Sequence, residues 1–226
     1  EKLRYGENPH QVSALYSKNK FLNINQLNGK QLSYNNYNDI FAALTISKSL
    51  PKNTGTVIVK HANPCGVSIL KDEVKCYKAA LACDPLSAFG GIVSCNFKIK
   101  KKLALDLNKL FLEVIIGNSF DNDALKILKK KKNLRLLDAS NFSRSETLNF
   151  NSSNGNILIQ SEDDKIIKKN NFQIVSKIKP TKSQLDDLIF AFNVCRYVKS
   201  NAIVLASDKT TIGIGAGQPS RLDSCQ

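Results

Sequence analysis

The sequence holds two histidines, His10 and His61, and both sit among polar neighbours. His61 follows the apolar run Thr56-Val57-Ile58-Val59, beside Lys60 and ahead of Asn63-Pro64-Cys65-Gly66. A histidine just past a buried strand is a candidate proton acceptor, because its ordinary pKa lies near neutrality. The neighbouring lysine adds positive charge or a proton donor. On spacing alone, a surface histidine with no role stands level with this reading. The same run can be tested for zinc. Zinc deaminases need His-x-Glu and Pro-Cys-x-x-Cys. Here Asn63 stands two residues after His61, and Ser68 three after Cys65. The carboxylate and the second thiolate are both missing, so zinc deamination is not expected.

Two further segments are dense in functional residue types. Gly213-Ile214-Gly215-Ala216-Gly217-Gln218 resembles a phosphate loop. Yet its spacing is not G-x-G-x-x-G, and no P-loop lysine follows. A tight strand connection explains it equally well. Ser220 and Arg221 come next, and arginine suits forked contacts to anions. Arg4-Tyr5-Gly6-Glu7-Asn8-Pro9-His10-Gln11 offers an arginine for phosphate and a tyrosine for stacking, or else is a loose chain end.

These residues need elements to hold them, and strand-like and helix-like segments alternate. Residues 39–49 read as a helix, 56–60 as a buried strand, and 73–83 as a helix. Asn63-Pro64 reads as the start of another helix, with proline at its first position. Asp84-Pro85 opens a turn, and Gly90-Gly91 leads into Ile92-Val93. A helix is expected at 101–111, a strand at 112–116, a helix at 121–131 and a strand at 133–137. Residues 139–156 read as loop and 157–160 as a strand. Ser183-Gln184-Leu185-Asp186 resembles a capping box ahead of a helix at 184–198. Strands follow near 202–206 and 211–215. The alternation predicts an α/β fold with partly parallel strands. VIVKHANPCG and NAIVLASD share a form, which suggests two related halves.

Composition narrows the class. Apolar residues are 42% of the 226, enough for a core, and no run approaches the length of a bilayer span. Six cysteines without a C-x-x-C pair read as reduced thiols, which suits a cytoplasmic protein. Net charge is +14, which raises nucleic acid, an anionic membrane or small anions as partners. The densest cluster, Lys129-Lys130-Lys131-Lys132, carries no interleaved aromatics and reads as a solvated helix end. Neither nucleic acid nor membrane is expected. The chain begins without Met and stops at Gln226, which reads as a piece of a longer protein.

Taken together, LRYGENPHQ (3–11), LSYNN (32–36), VKHANPCG (59–66), DPLSAFGG (84–91), KKNLRLL (131–137), KSNAIV (199–204) and GIGAGQPSR (213–221) resemble one family. It is the transformylase part of the bifunctional aminoimidazole-carboxamide ribonucleotide (AICAR) transformylase/IMP cyclohydrolase. The runs follow the family's order and cover almost the whole chain. The resemblance implies formyl transfer from 10-formyltetrahydrofolate to the 5-amino group of AICAR in purine biosynthesis. A non-catalytic nucleotide-binding remnant is the alternative. It implies His61 as proton acceptor, Lys60 as transition-state stabiliser, and Asn201 orienting the formyl oxygen or the carboxamide. Arg4, Tyr5, Asn36, Phe89, Gly90, Glu113, Ser220 and Arg221 are the implied substrate-binding positions. The implied fold is a cytidine-deaminase-like three-layer α/β unit, duplicated. Residues 1–170 would form the first half and 171–226 the start of a second, incomplete half. The resemblance further implies a homodimer with active sites at its interface and, in some members, a potassium ion near 195–203. It implies a cyclohydrolase domain elsewhere on the full chain, and folate contacts after RLDS. Gly117-Asn118-Ser119 departs from the family's usual proline-containing turn.

Overall fold

The computed structural model describes residues 1–17, 23–143 and 148–226. β1 (Asn25–Asn28) is followed by α1 (Tyr34–Ser49), β2 (Gly55–Lys60), β3 (Asn63–Ile69), α2 (Glu73–Cys83) and the single turn α3 (Pro85–Ala88). Next come β4 (Ile92–Ile99), α4 (Lys101–Leu107), β5 (Val114–Phe120), α5 (Asn122–Leu128) and β6 (Arg135–Asp138). A separate hairpin, β7 (Leu148–Ser153) and β8 (Asn156–Ser161), precedes α6 (Lys182–Cys195), β9 (Ile203–Ser207) and β10 (Thr210–Gly215).

Among the described residues the main sheet has eight strands, in the order β1-β6-β5-β4-β2-β3-β10-β9. β4, β5 and β6 run parallel, and the other neighbours are antiparallel. Side chains alternate between the faces. Val57, Val59, Ile92, Val114 and Ile116 join Ile40 and Leu44 of α1 and Phe190 of α6 in one core. Ile58, Val93, Cys95 and Ile115 join Tyr77 of α2, Leu103 of α4 and Leu128 of α5 in the other. Helices on both faces explain why the central strands are apolar almost throughout. The result is a mixed three-layer α/β structure.

Local chemistry sets the ends of the elements. Ser33 and Asn36 form a reciprocal capping box at the start of α1. Asp72 and Asp121 cap α2 and α5 through backbone N–H groups. Asn96, only 4% exposed, accepts from Thr54 N and Gly55 N and donates to the carbonyls of Ser47 and Pro51. This one amide pins the end of α1 to the start of β2, so the β2–β3 hairpin leaves the sheet in a fixed place.

A pattern of helix, strand, two-residue turn and strand occurs twice, as α1-β2-β3 and α6-β9-β10. The turn residues His61 and Ala62 have φ of 52° and 58°, and Asp208 and Lys209 have φ of 50° and 55°. Paired positive φ values mark the turn type whose twist matches a right-handed hairpin. The two hairpins meet where β3 pairs with β10 at Ser68 and Thr210. That short pairing is reinforced by Thr211 Oγ1, which accepts from Val67 N at 2.9 Å.

Several sequence expectations are corrected. Asn63-Pro64 opens strand β3, not a helix. The hairpin register lets Pro64 sit beside a bulge at Ile58/Val59, where a missing N–H is tolerated. Residues 148–153, expected as loop, form β7 and pair with β8. The capping box of α6 is Thr181 with Gln184, two residues ahead of the Ser183 reading. The helix expected at 101–111 ends at Leu107. Among the described residues no helix is long and apolar enough to cross a membrane.

Candidate active site

Lys60 and His61 stand at the tip of the β2–β3 hairpin. Lys60 Nζ donates to the carbonyl of Phe89 at 2.7 Å, which ties it to the loop entering β4. That loop turns through Gly90 at φ 72°, where glycine takes a conformation that side chains resist. His61 itself is exposed. Asp39, on α1, accepts from Ala62 N at 2.6 Å and holds the turn from below. Burial raises the Asp39 carboxyl above its ordinary value, against the opposing pull of the Ala62 N–H and of His61. Asn63 links the turn to a distant segment. Its Nδ2 donates to the His61 carbonyl at 3.1 Å, and its Oδ1 accepts from Lys199 N at 3.2 Å.

On one side of this pair lies a cavity of about 690 Å³, lined by Arg4, Tyr5, Asn36, Lys60, His61, Gly90 and Glu113 among others. Lys30, Lys131, Lys132 and Arg135 add further positive charge, and among the described residues Asp39 and Glu113 are its carboxylates. Excess positive charge in a concave site attracts small anions. Arg4 lies over the Tyr5 ring at 5.2 Å. Asn36 Nδ2 donates to Glu113 Oε2 at 2.8 Å. Arg135 is 8% exposed, with its guanidinium 3.7 Å from Glu113 and shared with the Gln31 carbonyl. Burial lowers its affinity for the proton, and Glu113 opposes that shift. Lys131 is not a solvated helix end, because its Nζ donates to the carbonyls of Asn108 and Leu110 at 2.6 and 3.0 Å.

On the other side lies a second cavity of about 570 Å³, also lined by Lys60 and His61. Its wall also includes Pro64, Cys65, Asp84, Gly213–Ala216, Gln218 and Asp223–Gln226. Gly213 and Gly215 belong to β10, so that part of the glycine-rich run is strand, and Ala216–Gln218 lie beyond its end. A Cβ on Gly215 would fall 1.7 Å from the Ser224 carbonyl oxygen. Burial pushes the Cys65 thiol up to about 12, which favours its protonated form near neutral pH.

Of the eleven positions singled out from sequence, Arg4, Tyr5, Asn36, Lys60, His61, Gly90 and Glu113 share the first cavity. Phe89 joins them through its carbonyl, while its ring packs on Phe111 at 5.3 Å. Asn201, Ser220 and Arg221 line neither cavity. Asn201 Nδ2 donates to the carbonyls of Gln218 and Pro219, and its own carbonyl accepts from Ser224 Oγ. It therefore anchors the segment that carries Ser220 and Arg221. Sequence reasoning missed Asp39, Lys30 and Arg135. Arg135 and Lys131 do fall within the run KKNLRLL, but only the folded chain brings them to Arg4.

Fold and site together define an α/β domain in which a strand-end Lys–His pair separates an anion-attracting cavity from a second one. The chain belongs to the AICARFT/IMPCHase bienzyme family, whose model matches residues 1–226. It is 43% identical over 230 residues to the bifunctional purine biosynthesis protein PurH of Caldicellulosiruptor saccharolyticus, covering 98% of this chain and 44% of that protein. It is 45% identical over 230 residues to PurH of Rhodospirillum rubrum, covering 99% of this chain and 44% of that protein. With PurH of Polynucleobacter asymbioticus the figures are 42% over 235 residues, 100% and 45%. The chain thus spans less than half the length of these curated relatives.

Proposed function

We propose that this chain carries the catalytic pair for formyl transfer from 10-formyltetrahydrofolate to the 5-amino group of AICAR, in IMP biosynthesis. The observation that carries the reading is that Lys60 and His61 line both cavities. A group transfer between two substrates needs its catalytic residues where both are within reach. The cationic cavity suits the ribonucleotide phosphate, with Arg4, Tyr5, Asn36, Gly90 and Glu113 around it. The second cavity is assigned to the formyl donor. The arylamine is a weak nucleophile, its lone pair being delocalised into the ring. As its nitrogen attacks the formyl carbon, His61 accepts the proton it loses. The Lys60 ammonium stabilises the negative charge that develops on the formyl oxygen. The bond to the folate nitrogen then breaks, and that nitrogen takes up a proton. Ser220, Arg221 and Asn201 line neither cavity, and are assigned to the substrate site because their segment flanks Gln218 and Asp223 in the wall of the second one.

We further propose the cytidine-deaminase-like architecture, with residues 1–170 as one half and 171–226 beginning a second. The order β3-β2-β4-β5-β6 under helices on both faces supports this, as does the repeat of helix and hairpin in α6-β9-β10. A cytoplasmic homodimer, with a cyclohydrolase domain on the full chain, completes the reading. A potassium ion near 195–203 is part of the same proposal. In 195–203 the carbonyls of Lys199 and Asn201 accept hydrogen bonds from Gly217 N and Ser224 Oγ, and the segment holds no carboxylate. No step is routed through that ion.

The test is His61→Asn in the full-length protein, because Asn tolerates the left-handed turn. Loss of a general base lowers kcat by roughly 10²–10⁴-fold. Near-normal turnover with unchanged folding overturns the reading. Ribonucleotide binding without any turnover in the unmodified full-length protein would favour the non-catalytic remnant instead.

A further inference from the structure

We infer that Asp39 is a positioning residue for His61: by clamping the His61–Ala62 turn from α1, it keeps His61 between the two cavities. The inference rests on the reading of His61 as proton acceptor.

The turn needs a clamp. Both His61 and Ala62 have φ in the left-handed region, and neither is Gly, Asn or Asp. A Cβ makes that region unfavourable, so two such residues in succession persist only when the surroundings over-determine them. What over-determines this turn is the bond from Ala62 N–H to Asp39 Oδ1 at 2.6 Å. The carboxylate is rigidly carried. One residue along, Ile40 is 1% exposed in the core, and Asn36, one turn earlier, is fixed by the capping box. Asn63 holds the turn from the opposite side, through the His61 carbonyl.

The second hairpin supplies an independent comparison within the same chain. Asp187, on α6, accepts from Asp208 N at 3.1 Å and from Lys209 N at 2.7 Å, and this turn too has two positive φ values. An aspartate from the preceding helix clamps the hairpin tip in both repeats. The second tip carries Asp208 and Lys209, where the first has His61 and Ala62. The clamp is therefore a feature of the scaffold, and His61 is mounted on it. Asp39 acts through the backbone and needs no contact with substrate.

The experiment compares kcat and KM of the full-length enzyme with those of three variants: Asp39→Ala, Asp39→Asn, and Asp39→Ala combined with Ala62→Gly. Asp39→Ala is expected to lower kcat by roughly 10–100-fold, the scale of a small misplacement of a reacting group, with little change in KM for the ribonucleotide. Asp39→Asn keeps an oxygen acceptor for the Ala62 N–H and is expected to stay close to the parent. Glycine at 62 removes the steric cost of the turn and is expected to restore most of the kcat lost in Asp39→Ala. A merely structural role would predict no such rescue. Full kcat in Asp39→Ala overturns the inference, as does a folded double variant no faster than the single one. If Asp39→Ala does not fold, Ala62→Val disfavours the same turn from the other side and is expected to lower kcat, and full activity there overturns the inference. The unmodified enzyme separates the two readings. If it shows no formyl transfer, the functional reading fails, and the clamp is judged by the Ala62 amide proton resonance. A downfield position lost in Asp39→Ala and kept in Asp39→Asn supports it, and no change overturns it.

Discussion

Replacing Gly215 by alanine is expected to disturb the second cavity, whereas the same change at Gly213, two residues away on the same strand, should be silent. The Cβ added at Gly215 would stand 1.7 Å from Ser224 O and 2.8 Å from Ser224 Cα. An ordinary carbon–oxygen contact is about 3.3 Å, so the Ser224 backbone must retreat by roughly 1.5 Å. It cannot do so freely. Ser224 is 5% exposed, its N–H donates to Ser220 O at 3.2 Å, and its Oγ donates to Asn201 O at 2.9 Å. Overpacking against a held backbone costs about 2 kcal/mol, or about 4–8 °C in Tm for a domain of this size. The retreat also moves Asp223–Gln226, which wall the second cavity, and loosens the hold on Asn201. At Gly213 the added Cβ meets only Leu205 Cδ1 at 3.8 Å, an ordinary contact. Gly213→Ala should therefore be neutral or stabilising by about 0.4–1 kcal/mol. Differential scanning calorimetry of both variants, with KM for the proposed formyl donor in the full-length protein, makes the comparison. Equal Tm and equal KM in the two variants would refute the reasoning.

Other perturbations separate the roles of neighbouring residues. With a thiol reagent at pH 8, exposed Cys225 should label first and Cys65 hardly at all, since a thiol held near 12 is ionised only to the order of 10⁻⁴; peptide mass spectrometry reads this, and fast labelling of Cys65 in the native chain contradicts it. Lys131→Ala should lower stability by about 1–2 kcal/mol, because two carbonyls lose a charged donor. Lys129→Ala and Lys130→Ala, at exposed positions, should stay within about 0.5 kcal/mol; equal denaturation midpoints across the three would be inconsistent with that anchoring. Asp39, with its carboxyl raised by burial, binds its proton more tightly in the folded than in the unfolded state. Its favourable contribution is present at low pH and lost as pH rises through its folded value, so the stability of Asp39→Asn relative to the parent should improve between about pH 3 and pH 7. Urea melts at several pH values test the sign.

Much of the scaffold could be read from the chain because local chemistry and pattern agree there. Residues 73–83 match α2 because Asp72 caps a short amphipathic stretch, and the apolar runs ending at Val59 and Ile116 are strands buried on both faces. The hairpin at His61 was misread because Asn63-Pro64 has the local signature of a helix start. What decides the matter is pairing of β3 with β2 and β10, which is non-local. β7 was missed because Ser and Asn are frequent in it, and its strand form depends on β8. Lys60, His61 and the Arg4 segment are legible from residue types and from the family's motifs. Locally Asp39 reads only as the first residue of a helix, since nothing nearby in sequence shows that it reaches a turn more than twenty residues on. Arg135 was hidden likewise, because its relation to Glu113 and Arg4 exists only once β5 and β6 lie side by side.

The place of β1 at the far edge of the sheet bears on how the molecule is made. Asn28 donates to the carbonyl of Leu134, 106 positions later in the chain. A ribosome adding about 5–20 residues per second needs roughly 5–20 s to supply that partner. Until then β1 lacks its strand partner β6, while the Arg4 segment can pair with residues 11–15 and the β2–β3 hairpin can close at once. Long loops of this kind slow folding, and their contacts are the last to be gained. The cationic cavity is therefore finished late in synthesis, after the turn that carries His61 is already in place. Nascent chains stalled before Leu134 would hold the hairpin of Lys60 and His61 yet lack part of the wall of the cationic cavity.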